Sequence, residues 1–263
     1  MTTVSDILQY IEVLAPRSMK MDWDNVGLLC GDPRQEVTKI LVALDPFEDV
    51  AKEAAEAGAQ LIVTHHPLIF QPAKSVTEDT SVGRTIRYLV RHDISAINAH
   101  TNLDQAPGGV NDVLAAVLGL TDVEVIAPEG ADVYGRPWGL LRKGRVEKQS
   151  LVRFLATVKD HLDCPGLRYV DGGKQVETVA VGGGACASEL LDAYTAGCDT
   201  FVTSDIKYNQ FWDAYDLRMN LIDAGHFYTE NPVCFRLARS LREKFPDISV
   251  EISKNHRDCM KFF

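Results

Sequence analysis

The sequence predicts an α/β protein composed of two similar α/β lobes with mostly parallel sheets. Apolar runs of strand length alternate with helical segments in two rounds, and strands that alternate with helices pair in parallel with both sheet faces covered. A chain of 263 residues has room for one large or two modest domains. Its composition, 46% hydrophobic and 24% charged, excludes disordered, collagen-like and disulfide-scaffold proteins.

The first round begins with a helix that we expect Ser5 to cap. The apolar face of this helix is formed by Ile7, Leu8, Ile11 and Leu14. Strands are then predicted at residues 39–45, 61–66 and 94–100. Helices are predicted at residues 48–58, 80–93 and 110–119. The segment of residues 21–33 between the first helix and the first strand is predicted to be a loop.

The middle section, from about Thr121 to Lys148, has no strong period and is predicted to be a junction with a short hairpin. The second round follows, with strands predicted at residues 176–184, 200–205 and 220–226. A last helix has one apolar face, formed by Val233, Leu237, Leu241 and Phe245, and an edge strand is expected at residues 248–253. We expect one lobe over residues 1–122 and the other over 123–263, with the C-terminal segment packing back on the first.

Charge and cysteine usage narrow the class of partner and the compartment. Lys and Arg number 27 and Asp and Glu 37, so the net charge is −10. This surplus repels phosphate backbones, which disfavours nucleic acid as a partner. The six cysteines are scattered without a C-x-x-C pair, which is typical of reduced thiols in the cytoplasm. The apolar runs are shorter than the about 20 residues that a membrane helix needs.

Histidines and acidic residues follow the predicted strands of both rounds. They are His65, His66, His100, Asp104, His226 and Glu230. The carboxyl ends of parallel strands meet at one edge of a sheet, where functional side chains gather. A single histidine there is usually a hydrogen-bonded loop or core residue. Four histidines with two carboxylates indicate a metal site instead, which we expect in the cleft between the lobes.

The pair His65 and His66 indicates two ions rather than one. Adjacent residues of a strand point to opposite faces, so each histidine is expected to face a different ion just beyond the strand end. Imidazole and carboxylate ligands suit Zn, Fe or Mn. Two such ions can share a bridging hydroxide and hold a phosphate or carbonyl oxygen. Thr229 is a candidate cap for a helix that would place Glu230 in its first turn.

Two other segments leave alternatives open. The run VAVGGGACASE could hold an anion on its backbone N–H groups, although a tight turn without a ligand is the favoured interpretation. Cys186 is interpreted as a buried apolar residue rather than a catalytic thiol. Phe211, Trp212 and Tyr215 are interpreted as core or interface residues.

Five motifs together closely resemble those of the Nif-three-like family, also catalogued as GTP cyclohydrolase type 2-like proteins. The motifs are DWDNVGLLCGDP, LIVTHHPLIF, NAHTNLDQAPGGVND, TSDIKYNQ and NLIDAGHFYTE. The resemblance implies a dinuclear metal centre between two α/β lobes and a hexameric ring. It also implies the metal ligands, which would be His65, His66, Asp104, His226 and Glu230.

The resemblance leaves other positions with supporting roles or in doubt. His100 is expected to support a ligand or to act as an acid or base, and Asp45 and Asn25 are further candidates near the metals. Ser204 stands where relatives often have glycine, and Asn209 stands where they often have histidine. The inserted middle domain of longer relatives has no room in this chain.

Three functions fit the pattern. The first is a metal-dependent hydrolase acting on a nucleotide-like or phosphorylated small molecule, with GTP suggested by the family name. The second is a protein that binds or delivers metal without catalysis, and the third is a ring scaffold for partner proteins. Purely structural metal sites favour saturated, cysteine-rich coordination. The histidine and carboxylate set therefore favours catalysis or metal exchange over a scaffold.

Overall fold

A computed structural model describes all residues 1–263, and the chain divides into two compact units. The first unit comprises Met1–Leu103 and Val233–Cys259, and the second comprises Asp104–Pro232 and Met260–Phe263. Both contain helices and a sheet, so the predicted α/β class is confirmed.

The strands and helices are numbered in chain order. The strands are β1 (Gly27–Cys30), β2 (Lys39–Ala43), β3 (Leu61–Thr64), β4 (Ser95–Asn98), β5 (Thr121–Ile126), β6 (Gly130–Ala131), β7 (Pro137–Trp138), β8 (Leu141–Gln149), β9 (Arg168–Val170), β10 (Val176–Val181), β11 (Thr200–Thr203), β12 (Asn220–Asp223) and β13 (Ser249–Ile252). The helices are α1 (Val4–Leu14), α2 (Glu48–Glu56), α3 (Ser81–Arg91), α4 (Thr101–Gln105), α5 (Val110–Val117), α6 (Leu151–His161), α7 (Leu190–Thr195), α8 (Tyr208–Asp216), α9 (His226–Glu230) and α10 (Pro232–Lys244).

The first unit is built on a five-stranded sheet of order β1-β4-β3-β2-β13. Strands β13, β2, β3 and β4 are parallel, and β13 lies at the edge as predicted. The loop prediction for residues 21–33 is partly wrong, because β1 pairs antiparallel with β4. Strand β1 is apolar in sequence, but it has only four residues, lies at the edge of the sheet and buries only Gly27.

The N-terminus of α1 corrects the predicted cap. Thr3, not Ser5, is the capping residue, because its hydroxyl accepts a hydrogen bond from the Asp6 N–H at 3.3 Å. The Asp6 carboxylate in turn accepts from the Thr3 N–H at 2.8 Å, which completes a capping box. Ser5 lies inside the first turn of the helix.

The second unit is built on a six-stranded sheet of order β5-β8-β10-β11-β12-β9. Its centre, β10, β11 and β12, is parallel, whereas β8, β5 and β9 are added antiparallel. The predicted hairpin exists as β6 and β7, but the flanking residues are strands β5 and β8 rather than a junction. Five of the six side chains of β5 are exposed or half-buried, so this edge strand lacks the apolar pattern that marks buried strands.

In each unit, a parallel strand leads into a five-residue helix. Strand β4 is followed by α4, and β12 is followed by α9. The chain passes from the first unit to the second within α4 and returns directly after α9. Both transitions therefore fall within a few residues of the predicted site. No helix of the chain has the length and apolar character that a membrane crossing requires.

Candidate metal centre

Three histidines of the first unit converge just beyond β3 and β4. One ring nitrogen from each of His65, His66 and His100 lies within 4.8 Å of the others. Their ring centroids are 5.0 to 5.6 Å apart. His65 is fully buried, and the other two rings are mostly buried. The histidines that the sequence placed at two separate strand ends thus form one group of nitrogen donors.

Each of these imidazoles is held by a hydrogen bond at Nδ1. His65 Nδ1 donates to the Ala99 carbonyl oxygen at 2.9 Å. His66 Nδ1 donates to Asp45 at 2.6 Å, and His100 Nδ1 donates to Asp24 at 2.8 Å. Because a carbonyl or carboxylate oxygen only accepts, the proton is on Nδ1 and the lone pair is on Nε2. This is the arrangement in which histidine serves as a metal ligand.

The other histidines of the chain provide an internal comparison. His92 and His161 donate from Nδ1 to backbone carbonyls, and His256 Nδ1 accepts from the Leu44 N–H. In none of these three does Nδ1 donate to a carboxylate. The pairing of Nδ1 with a carboxylate is confined to His66, His100 and His226.

Asp24 is a positioning residue that the sequence reasoning missed. Its side chain is fully buried and accepts from the N–H and hydroxyl of Thr101 as well as from His100. Burial opposes its charged form, but the hydrogen bonds from His100 and Thr101 lower the pKa of Asp24 to about 2. The neighbouring candidate Asn25 holds the loop instead, since its side-chain amide donates to the Ile69 carbonyl. An acidic residue directly before the singled-out Asn25 was the available signal.

Replacing Asp24 with asparagine is expected to destabilise the fold by about 2 kcal/mol near neutral pH, since one pKa unit corresponds to about 1.4 kcal/mol. The folded pKa of about 2 lies below the ordinary value of 3.8. The contribution of Asp24 is therefore complete above the ordinary value and is lost as the pH falls towards the folded pKa. Urea unfolding of chelator-treated protein at several pH values measures this difference. The control is Asp22→Asn, because Asp22 is an exposed neighbour. A loss of unfolding free energy in Asp24→Asn that does not become smaller in acid contradicts the prediction.

The second unit contributes His226 and Glu230, which lie at the two ends of α9. His226 Nε2 lies 3.0 Å from Glu230 Oε2, and its Nδ1 lies 2.7 Å from Asp205 Oδ2. Burial opposes the charged ring, but the hydrogen bonds and negative charges of Asp205 and Glu230 raise the pKa of His226 to about 11. A positive charge is thus strongly favoured between these carboxylates, and a metal ion can replace the proton there.

Asp205 was also missed by the sequence reasoning. It directly follows Thr203 and Ser204 at the carboxyl end of β11 and has a φ of 53°. Aspartate tolerates this left-handed conformation better than most residues. The turn directs its carboxylate to His226. A polar residue at the end of a parallel strand was the signal, the same one that identified the histidines.

The Glu230 side chain lies against the glycine run after β10, which explains why a residue without a Cβ is needed at Gly184. Gly184 has a φ of +67°, and a Cβ at this position would overlap Glu230 Oε1. The Gly184 N–H donates to the Thr229 hydroxyl at 3.0 Å. A tight turn is therefore confirmed. The predicted helix cap at Thr229 is wrong, because Thr229 lies within α9 and Glu230 ends that helix rather than beginning the next one.

Asp104 lies on α4 and is buried. Its backbone carbonyl accepts from the buried Asn111 amide at 3.1 Å. Asn111 also accepts from the Gly183 N–H, so one buried side chain joins α4 to the glycine turn. Burial, followed by the charges of Asp104 and Glu230, raises the pKa of Cys186 well above its ordinary value. Cys186 is buried and its thiol is protonated, in agreement with its interpretation as an apolar residue.

The positions that depart from the family pattern lie near β11. Ser204 is fully buried, and its hydroxyl has no hydrogen-bond partner. Asn209 is exposed in the first turn of α8. The core interpretation is wrong for Trp212 and Tyr215 on the same helix, since their exposed fractions are 54% and 58%.

The donor set fits divalent transition metals. Four imidazoles with Nδ1 engaged and two buried carboxylates are ligands that Zn, Fe and Mn accept. The histidine and glutamate groups could therefore hold a metal ion.

Comparison with known proteins agrees with the motifs. The model of the Duf34/NIF3 (NGG1p interacting factor 3) family matches residues 2–258. A Clostridium perfringens protein named GTP cyclohydrolase 1 type 2 homolog is 35% identical, over 98% of this chain and 99% of that protein. The solved structure of a hypothetical Staphylococcus aureus protein has a TM-score of 0.93 at 32% identity and covers 99% of both chains. A NIF3-related Bacillus cereus structure has a TM-score of 0.94 at 27% identity, covering 100% of this chain and 99% of that one. The chain belongs to the Duf34/NIF3 family.

Proposed function

We propose that this protein binds two divalent transition-metal ions per chain through His65, His66, Asp104, His226 and Glu230. The observation that carries the proposal is the common support of the imidazoles at Nδ1. This hydrogen bond leaves Nε2 of His65 and His66 with a lone pair, and it holds His226 so that Nε2 faces Glu230, where a metal ion can replace the proton. Glu230 and Asp104 add two buried carboxylates, which are costly to bury unless a cation or hydrogen bonds compensate the charge.

Two of the proposed ligands lie close in sequence to the points where the chain passes from one unit to the other. Asp104 lies four residues after His100, and α4 spans the transition from the first unit to the second. Glu230 lies two residues before the return transition at Pro232 and Val233. Asp104 and Glu230 therefore each lie within a few residues of a transition.

We propose further that the protein is a hydrolase of a nucleotide-like or phosphorylated small molecule. Two bound divalent ions would activate water near neutral pH and hold a phosphate or carbonyl oxygen. His100, oriented by Asp24, is the proposed acid–base group, because its Nε2 belongs to the cluster while Nδ1 is fixed on a carboxylate. The name of the Clostridium perfringens relative makes GTP the first substrate to test.

A second candidate function is metal binding or delivery without catalysis. It is favoured by the accessibility of two of the proposed ligands. The side chains of His66 and His226 are 18% and 32% exposed, whereas structural metal sites are closed. Partly exposed ligands suit the exchange of an ion with a partner.

The third candidate is a ring scaffold, and we propose a hexamer as its assembly. Analytical ultracentrifugation tests this oligomeric state. The six cysteines form no disulfide, and we propose a cytoplasmic location on this pattern.

The test begins with elemental analysis of protein purified without chelator, where we expect about two transition-metal ions per chain. Metal-loaded protein is then incubated with GTP and a panel of nucleotides and sugar phosphates, and product formation is followed. Turnover that is lost in His100→Gln, with the metal content retained, supports the hydrolase. Absence of turnover together with rapid transfer of metal to a chelator supports delivery. Protein that takes up no metal overturns the proposal.

A further inference from the structure

Two large aromatic side chains of the first unit, Trp23 and Phe70, are exposed beside His100. Trp23 is 62% exposed and Phe70 is 45% exposed. Their ring centroids lie 5.7 Å apart, and they lie 6.2 Å and 6.1 Å from the His100 ring. We call Trp23 and Phe70 the aromatic rim. Its rings contact each other and His100, one of the three clustered histidines.

The loops that carry the aromatic rim are fixed by hydrogen bonds close to the exposed rings. Before Trp23, the Met21 N–H donates to the Thr101 hydroxyl at 2.9 Å. After it, the Asn25 side-chain amide donates to the Ile69 carbonyl at 2.7 Å, which joins the Trp23 loop to the residue before Phe70. Between them, Asp24 is buried beneath the loop. Both rings are thus held in place although they are exposed, so a ligand need not order them on binding.

We propose that the aromatic rim binds a planar nitrogen heterocycle, of the kind that a nucleotide base supplies, by stacking on its exposed ring faces. Aromatic side chains stack on bases because every base has a π-face. The edge-to-face contact between Trp23 and Phe70, with an interplanar angle of 71°, uses the edge of one ring and leaves exposed faces available. The polar end of such a ligand then reaches His65, His66 and His100.

The placement of the ligand's polar end at the histidines rests on the proposed metal function. The stacking of the heterocycle on the aromatic rim is independent of that function. Trp23 and Phe70 both belong to the first unit, and their exposed faces are present without a metal ion. An aliphatic ligand could also cover the exposed aromatic surface, but it would not gain the stacking energy that a planar heterocycle gains on a ring face. The experiment therefore compares ligands that differ only in the heterocycle.

The affinities of guanosine monophosphate and ribose 5-phosphate for metal-loaded protein are measured by isothermal titration calorimetry. We expect guanosine monophosphate to bind about 5- to 100-fold more tightly, the range that stacking on one aromatic side chain implies. Trp23→Ala should remove most of this preference, Phe70→Ala should reduce it, and Trp23→Phe should retain part of it. Guanosine without phosphate, titrated into chelator-treated protein, tests the stacking without metal.

Trp212→Ala is the matched control, because Trp212 is a similarly exposed tryptophan on α8. It should leave both affinities unchanged, and all variants should keep the wild-type circular dichroism and metal content. Equal affinity for the two ligands in wild-type protein overturns the inference, as does a preference that survives in folded Trp23→Ala. A Trp23→Ala variant that changes only the oligomeric state also overturns it. If the protein holds no metal but guanosine still binds in a Trp23-dependent manner, the metal proposal fails and the aromatic rim stands.

Discussion

Glu230→Ala and His66→Ala should each lower the metal content by at least one ion per chain, measured by elemental analysis after dialysis against buffer without chelator. Glu230 is buried and holds His226, so its loss removes a donor and leaves His226 Nε2 without its fixed partner. His66 is held by Asp45 through Nδ1, and alanine at this position removes the Nε2 donor. We expect these to be the largest effects of any single substitution on metal binding.

Asp205→Asn provides an intermediate step in the same series. Asparagine tolerates the left-handed backbone that Asp205 adopts, so the turn is preserved. The negative charge of the carboxylate that faces His226 Nδ1 is lost. Loss of such a supporting group weakens metal affinity by roughly 10- to 100-fold. A competition titration with a coloured chelator measures this change. His92→Ala and His161→Ala, which remove histidines held by backbone carbonyls, are the controls. A content of two ions per chain in Glu230→Ala would contradict the assignment.

The central strands and the proposed ligands could be predicted from the sequence because both depend on local patterns. The runs at residues 39–45, 61–66 and 200–205 have apolar centres without alternation, as is typical of strands buried on both faces, and they contain β2, β3 and β11. Polar residues that follow such runs lie at one sheet edge for topological reasons. The histidines could be identified for this reason, without knowledge of the loops.

The supporting residues could not be predicted because their roles depend on contacts across long sequence separations. Asp24 reaches His100 over 76 residues, and Gly184 must lack a Cβ because Glu230 approaches it from 46 positions away. The edge strand β5 could not be predicted because most of its side chains face solvent, so its sequence lacks the apolar run of a buried strand. Local pattern thus predicts which side chains are donors, and tertiary contacts decide which neighbours orient them.

The buried Arg142 is the residue of the second unit whose loss should most reduce stability. Its side chain is 1% exposed, and Nε donates to Asp112 at 2.6 Å. Its remaining N–H groups donate to backbone carbonyls, among them Gly139 at 2.6 Å and Gln105 at 3.2 Å. Removing one member of a buried ion pair typically costs 3 to 5 kcal/mol, roughly. We expect Arg142→Ala to lower the free energy of unfolding by about this amount, measured by urea unfolding.

Replacing both partners of a buried ion pair with apolar residues is often neutral, but here it should not restore stability. The buried Gly139 carbonyl accepts from Arg142 at 2.6 Å and would lose this donor in the double variant Arg142→Leu/Asp112→Leu. The carbonyls of Gln105 and Ala106 would also lose Arg142 and keep only the N–H groups of Gly139 and Gly109. These carbonyls directly follow Asp104, so the substitution should also weaken metal binding through the position of α4. Arg239→Ala, which breaks the exposed pair with Glu243, should change neither property. Wild-type stability in the double variant would show that Arg142 contributes only as a partner of Asp112. Unchanged metal affinity would show that the hydrogen bonds from Asn111, Gly109 and Gly139 are enough to hold this backbone.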